Sequence, residues 1–319
     1  MKRFTWFMLL GILMLVLAAC GDDAGDTETE SEGSASASGD TGKENWPDKF
    51  VFGVLPTEDQ EQLSDRFEDM GTYLENELGI EVEIFVGQDY TALVEAMANG
   101  HIHGSGFGPF AYVLAHERAG AEAIAVGTED ADNLGYTAQF IALEESGIEN
   151  LDDAEGKSMA YADPASASGH LFPKAMIINK KGLDMDTVDD YFGGVTFSGS
   201  HEASLLSVLN GDVDIAGVCS TCIARSLDGI DHPNEEQLKV VTESALIPNG
   251  PTTIQRDLPQ DLKDAFKQAI LTMKDDELGM AFLESNKWSD GFVEVSDEDY
   301  QVVRDTADAL GLNPEDLLN

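Results

Sequence analysis

From residue 49 onward, short apolar runs alternate with longer segments in which apolar and charged residues are mixed. "KFVFGVLP" (49–56) is almost continuously apolar and reads as a strand. "TEDQEQLSDRFEDMGTYLENELG" (57–79) reads as an amphipathic helix with Thr57 placed to cap it. "IEVEIFVG" (80–87) alternates as a strand does, and "DYTALVEAMANG" (89–100) is a helix closed by Gly100. "HIHGSGFG" (101–108) follows, and "PFAYVLAHERAG" (109–120) opens a helix with Pro109 in its favoured first position. The order β-α-β-α-β-α predicts a largely parallel sheet covered by helices, with ligands at the carboxyl ends of its strands.

A second round starts at "GYTAQFIALEES" (135–146) and runs through "KSMAYADP", a helix-opening turn, "GGVTFSGS", the helical "HEASLLSVLNG" and "VDIAGV". "LKVVTES" (238–244) supplies a late strand. The region from "DLPQDLKDAFKQAILTM" (257–273) onward is helical, with capping signals at Asp257 and Ser296. Chain order thus predicts an α/β protein of two lobes with a cleft between them. Residues 46–138 plus 250–319 form lobe 1, and 139–249 are inserted as lobe 2.

The pattern changes at the N-terminus, where Lys2 and Arg3 precede the uncharged run "FTWFMLLGILMLVLAA" and then Cys20. That run is shorter than the roughly 20 apolar residues a comfortable membrane span needs, and it has the form of an export signal. "LAAC" resembles a bacterial lipobox. The expectation is a lipoprotein signal peptide over 1–19, lipidation of Cys20, and an extracytoplasmic protein anchored to the bacterial cell membrane. Residues 21–45 hold eight acids and one lysine with no aromatic or large aliphatic side chain. They cannot offset the entropy of ordering, so 20–45 reads as a disordered acidic tether.

Charge narrows the partners. With 18 Lys+Arg against 61 Asp+Glu, the formal charge of −43 would repel phosphate backbones, which argues against nucleic acid. Losing Lys2 and Arg3 with the signal would make the exported chain more acidic still. So acidic a surface suits a saline or alkaline exterior.

The turn "DPASASGHLFPKAM" (163–176) concentrates the chemistry. Helix N-termini carry unpaired N–H groups and partial positive charge, so such a turn can hold an anion. Ser166 and Ser168 add hydroxyls, Ala167 offers a backbone N–H, and Gly169 permits close approach. By itself the turn reads first as an ordinary serine-capped helix start, since serine caps are common. His201 sits at a second strand-to-helix junction, "FSGSHEAS", and Tyr90 and Tyr136 lie at a helix start and near the expected hinge.

The segments "QDYTALVEAMANG", "GFGPFAYVLAHERAG", "GYTAQFIAL", "DPASASGHLFP", "SGSHEASLLSVLNGDVDIAGV" and "ESALIPNGP" occur in the order found in the phosphate, phosphite and phosphonate substrate-binding proteins of ABC importers, and over about residues 50–275 the chain resembles that family. The resemblance implies a periplasmic-binding-protein type II fold, two mixed-sheet lobes joined by a hinge that close on a small oxyanion. It implies ligand contacts from Tyr90, Tyr136, Ser166, Ala167, Ser168 and His201, and an ABC permease as partner to a monomeric receptor without cofactor. Ala167 stands where most members carry threonine. Where relatives that bind aminoalkylphosphonates carry acids, this chain has "CSTC" (219–222) and "PNGP" (248–251), which points to a ligand without a cationic tail: phosphate, phosphite or a simple alkylphosphonate.

Other readings stay open at this level. Cys219 and Cys222 read as a local disulfide or quiet thiols, with capture of a soft anion or metal species as the sharper alternative. A sensor presenting its ligand to a membrane kinase would share every feature above, and a surface lipoprotein with no small ligand would share the anchor. A secreted phosphoryl-processing enzyme would have to recruit Ser166, His201 and Asp214 as a triad; no nucleophile-elbow or phosphate-loop motif accompanies them, so no catalytic residue is assigned. His101, His103 and His116 lack a chelating spacing, so no metal is assigned either.

Overall fold

The computed structural model describes residues 43–227 and 231–312; the expected signal segment, Cys20 and most of the tether lie outside the described residues. Among the described residues thirteen strands run in chain order: β1 Lys49–Val54, β2 Glu81–Val86, β3 Gly104–Gly106, β4 Ala121–Thr128, β5 Gly135–Tyr136, β6 Ala138–Leu143, β7 Ser158–Tyr161, β8 Gly194–Phe197, β9 Ile215–Cys219, β10 Leu238–Glu243, β11 Ile247–Pro248, β12 Thr252–Gln255 and β13 Gly291–Glu294. The α-helices are α1 Gln60–Leu78, α2 Tyr90–Ala98, α3 Pro109–Ala119, α4 Phe172–Lys181, α5 His201–Leu209, α6 Ile223–Ser226, α7 Gln260–Thr272, α8 Glu277–Ser285 and α9 Gln301–Ala309.

The strands form two mixed sheets and a short ribbon. The first sheet has the order β13-β4-β12-β3-β1-β2, and the second β10-β6-β9-β7-β8. β1 pairs in parallel with β2 and β3, but β12 inserts antiparallel between β3 and β4, and β13 adds antiparallel to β4. This corrects the largely parallel sheet expected from element order. Both strands join after the chain has left the first sheet and built the second, and periodicity along a strand carries no information about which neighbour it will choose.

Each sheet is covered on both faces. In β1, Phe50, Phe52 and Val54 point into a core with Leu63, Met70 and Leu74 of α1 and Phe266 of α7, while Val51 points to the opposite core beneath α2 and α3. This period-2 division between two buried faces explains why β1 reads as a continuous apolar run. Phe50 and Phe266 stack with ring centroids 5.0 Å apart, and Phe67 meets Phe282 edge-on at 5.1 Å. The second sheet likewise packs Phe140, Met159 and Ile177 on one side and Ile141, Leu205 and Val208 on the other.

The start of α1 differs from the Thr57 cap expected above. Asp59 caps the helix, its Oδ1 accepting the N–H groups of Glu61 (2.9 Å) and Gln62 (3.3 Å). Thr57 is engaged elsewhere: its carbonyl accepts the N–H of Glu202 at 3.4 Å. Similarly α7 starts after Pro259 rather than at Asp257, whereas Ser296 does form a capping box with Asp299.

The chain passes between the sheets twice, and the two crossings are tied together. β5 pairs antiparallel with β11, Tyr136 opposite Ile247 and Gly135 opposite Pro248. At the second crossing Gly250 lies so close to Phe107 that a Cβ there would stand 2.1 Å from its carbonyl oxygen, so no other residue fits without a backbone shift.

Candidate anion cleft

Tyr90, Tyr136, Ser166, Ala167, Ser168 and His201, drawn from four separate stretches of chain, line one cavity of about 630 Å³ between the two sheets. Tyr90, the Ser166–Ser168 turn and His201 stand where a loop enters a helical turn, and Tyr136 ends β5.

After β7 the chain turns at Asp163 and Pro164 and enters α4 through one wide π-type turn, Ala167–Leu171. Ser166 caps that turn, its Oγ accepting the N–H of Gly169 at 3.0 Å, and the N–H of Leu171 reaches the Ser166 carbonyl at 3.0 Å. Ala167 and Ser168 therefore occupy the first turn, where N–H groups have no carbonyl one turn back to accept them. Gly169 is required: a Cβ there would lie 2.5 Å from the Cβ of Ala162, 2.9 Å from Ser166 Oγ and 3.0 Å from His201 Cε1.

His201 is the first residue of α5, whose cap is Ser200, with Oγ accepting the Ala203 N–H at 3.0 Å. The imidazole is buried, with Nε2 3.3 Å from Ser166 Oγ and Nδ1 3.3 Å from the backbone nitrogen of Cys219. A peptide N–H can only donate, so Nδ1 must be the acceptor, and a neutral ring then carries its proton on Nε2. Burial, reinforced by the positive charge of Arg225, holds this histidine down at about 4, so the ring is neutral at pH 7 and presents Nε2–H on the Ser166 side. Ser166 Oγ thus faces two donors, Gly169 N–H and His201 Nε2–H, and its own proton is left for another acceptor.

The tyrosines complete the lining. Tyr90 opens α2 behind the Asp89 cap, and its hydroxyl interacts with Ser166; that of Tyr136, in β5, interacts with Ser168. Burial raises both phenols, Tyr136 to about 12, so each stays a neutral O–H. Asp163 braces the turn from behind, accepting Ala165 N–H at 2.7 Å and Tyr90 N–H at 3.4 Å. Burial pushes its carboxyl up to about 6 against these two donors.

Several lining residues carry no signal in the spacing of the sequence. Arg66 of α1 and Arg225 of α6 both line the cavity, and the buried carboxylate of Glu58 is ion-paired with each, at 2.7 Å to Arg66. Glu202 Oε2 accepts the N–H of Asp59 at 3.0 Å alongside this cluster. The available clue was scarcity: with 18 basic residues in the chain, an arginine three residues beyond "CSTC" is uncommon. The four residues of "CSTC", together with Asn249 and Gly250, line the cavity where the aminoalkylphosphonate-type acids were missed in the sequence. Glu129 and Asp130 also line it, but both are exposed and border water.

Other sequence candidates separate. Asp214 Oδ2 accepts the N–H (2.8 Å) and Oγ–H (2.7 Å) of Ser158, while His201 Nδ1 is taken by Cys219, so the three members of the supposed triad are not in series. His103 Nδ1 accepts the Val51 N–H at 2.9 Å, and His116 Nδ1 lies 2.9 Å from the Ala121 carbonyl; these two serve backbone groups. Cys219 and Cys222 form a disulfide. Among the described residues no helix is long and apolar enough to cross a membrane.

Known proteins resemble this chain in sequence and in fold. A phosphate-import protein from Mycolicibacterium smegmatis is 29% identical over 290 residues, covering 85% of this chain and 88% of the relative. The binding protein component of an ABC phosphonate transporter from Pseudomonas aeruginosa superposes with a TM-score of 0.74 at 25% identity, covering 81% of this chain and 85% of that one. A binding protein from Prochlorococcus marinus, solved in complex with methylphosphonate, also gives a TM-score of 0.74, at 18% identity over 84% of this chain and all of that one. The family model describing the periplasmic substrate-binding protein of phosphonate ABC transporters matches residues 52–300, and the chain belongs to that family.

Proposed function

We propose that this protein is a lipid-anchored receptor that binds phosphate, phosphite or a simple alkylphosphonate between its lobes and delivers it to an ABC permease. Lobe 1 comprises residues 46–138 and 250–319, lobe 2 residues 139–249, and the β5–β11 ribbon is their hinge. The protein works as a monomer held to the membrane through Cys20.

The observation that carries the reading is the convergence of donors from both lobes on one cavity: Tyr90 from lobe 1, Tyr136 at the hinge, and Ser166, Ser168 and His201 from lobe 2. A tetrahedral oxyanion accepts several hydrogen bonds at once, and charged acceptors strengthen each bond. Neutral donors at a helix N-terminus suit a doubly charged anion because they act at contact range, while the acidic exterior is screened over about 8 Å. A neutral His201 and protonated tyrosines add donors without adding titratable charge. The scarcity of carboxylates on the inner wall favours an anion without an ammonium group.

Calorimetric titration against phosphate, phosphite, methylphosphonate, aminoethylphosphonate and sulfate tests the ligand assignment. Saturable binding of a phosphorus oxyanion without an amine, with an increase in stability of about 2.7 kcal/mol at a concentration 100 times Kd, supports it. Preference for aminoethylphosphonate or sulfate rejects it. Cys20→Ser tests the anchor: the protein should leave the membrane fraction, and retention there would reject lipidation.

A further inference from the structure

Beyond the anion site, the cavity wall contains three soft or borderline metal donors that the ligand reading does not use together. The side chains of His201, Cys219 and Cys222 are all buried, and one ligand atom from each lies within 4.8 Å of the others. They are brought together by topology: His201 begins α5, Cys219 ends β9, and Cys222 precedes α6 one turn later. Among the described residues it is the one cluster of three potential ligands.

We propose that reduction of the Cys219–Cys222 disulfide converts this wall into a binding site for a thiophilic divalent metal ion of the zinc and cadmium class. Two equivalents of a low-molecular-weight thiol open the disulfide, yielding two protein thiols and one small-molecule disulfide. The metal then forms two metal–sulfur bonds as two protons leave. The third ligand is His201. Its Nδ1 faces the cysteines, since it lies beside the Cys219 backbone, whereas Nε2 faces Ser166. The metal therefore takes Nδ1 in place of the Cys219 N–H, and Nε2–H stays directed at the anion cavity.

The dimensions agree. Metal–sulfur bonds of about 2.3 Å and a metal–nitrogen bond of about 2.0–2.1 Å in tetrahedral geometry require the donor atoms to be about 3.5–3.8 Å apart. Donors already within 4.8 Å need side-chain rotation rather than movement of the strands. Arg225, with Nη2 3.7 Å from Cys222 Sγ, favours the thiolate form that bonds a metal. Three protein ligands leave a fourth position for water or an oxygen of the bound anion, the arrangement of an open rather than a closed site.

The test uses the full chain carrying Cys20→Ser, so that of its three cysteines only this pair can supply thiols. The protein is reduced with a phosphine, freed of reductant without oxygen, and titrated with cadmium while the thiolate-to-cadmium charge-transfer absorption is followed. One cadmium per chain is expected for the reduced protein and none for the oxidised protein. Affinity should fall at least about tenfold in His201→Ala, and the band should vanish in Cys222→Ser. Equal binding by the oxidised and reduced forms would overturn the proposal, a comparison that needs no substitution in the cluster. No band from a reduced chain whose two thiols are counted as free would do so equally.

Discussion

Ser166 Oγ lies 3.3 Å from His201 Nε2, joining the turn that opens α4 to the first residue of α5 across 35 residues of sequence. The contact aligns two helix N-termini on one cavity. Cys219 fixes the direction of the proton in this pair by donating its backbone N–H to the opposite ring nitrogen.

Ser166 has two roles that substitution can separate from those of Ser168. Ser166→Ala removes the Gly169 cap as well as a cavity hydroxyl, so it should lower stability by about 1 kcal/mol and weaken anion binding by about 1–3 kcal/mol. Ser168→Ala should weaken binding by a similar amount with a smaller loss of stability. Thermal melts alongside calorimetry read both; equal stability losses would show that the cap is not specific to Ser166.

Gly169→Ala should abolish tight anion binding. The new methyl would meet Ala162 Cβ at 2.5 Å and His201 Cε1 at 3.0 Å, and the buried strand end and imidazole can make room only by moving the site itself. Wild-type affinity in this variant would place the ligand away from the turn.

Acid should destabilise the folded protein through its buried histidines. Burial holds His170, near Lys174, and His201, near Arg225, at about 4, whereas the unfolded chain takes up protons near 6.5. Their contribution to stability is fully present above pH 6.5 and is lost as pH falls toward 4. Asp163, raised to about 6, acts in the opposite sense, its contribution being lost as pH rises through 6. Comparing wild type with His201→Asn isolates one histidine: the melting temperature of the variant should fall less steeply between pH 6.5 and 4.5. Parallel curves would mean that His201 titrates normally.

Glu58 links α1 of one sheet's cover to α6 of the other's through Arg66 and Arg225. Both arginines hold its carboxyl below the ordinary carboxylate value even though burial pushes the other way. Glu58→Gln leaves two guanidinium groups facing each other and should cost less than about 3 kcal/mol, since both cations retain some contact with water. It should also open the cleft, read as a larger radius of gyration in small-angle scattering of the ligand-free protein. An unchanged radius would confine Glu58 to a stabilising role.

The sequence by itself determined the alternating α/β construction, the two rounds of elements, the capped turn at Ser166 and the junction at His201. These depend on local periodicity, on capping chemistry and on ordered motifs within single segments, all of which are written in consecutive residues. Tertiary structure alone decided that β12 and β13 join the first sheet antiparallel, that Asp59 rather than Thr57 caps α1, and that Asp214 serves Ser158 instead of His201. It alone placed Arg66, Arg225 and Glu58 at the cavity and Cys219 and Cys222 beside the imidazole. Each of these depends on which of many chemically equivalent partners lies nearest after folding. A strand edge, a carboxylate or a guanidinium has the same local pattern whichever partner it meets, so only the packing of the two sheets selects among them.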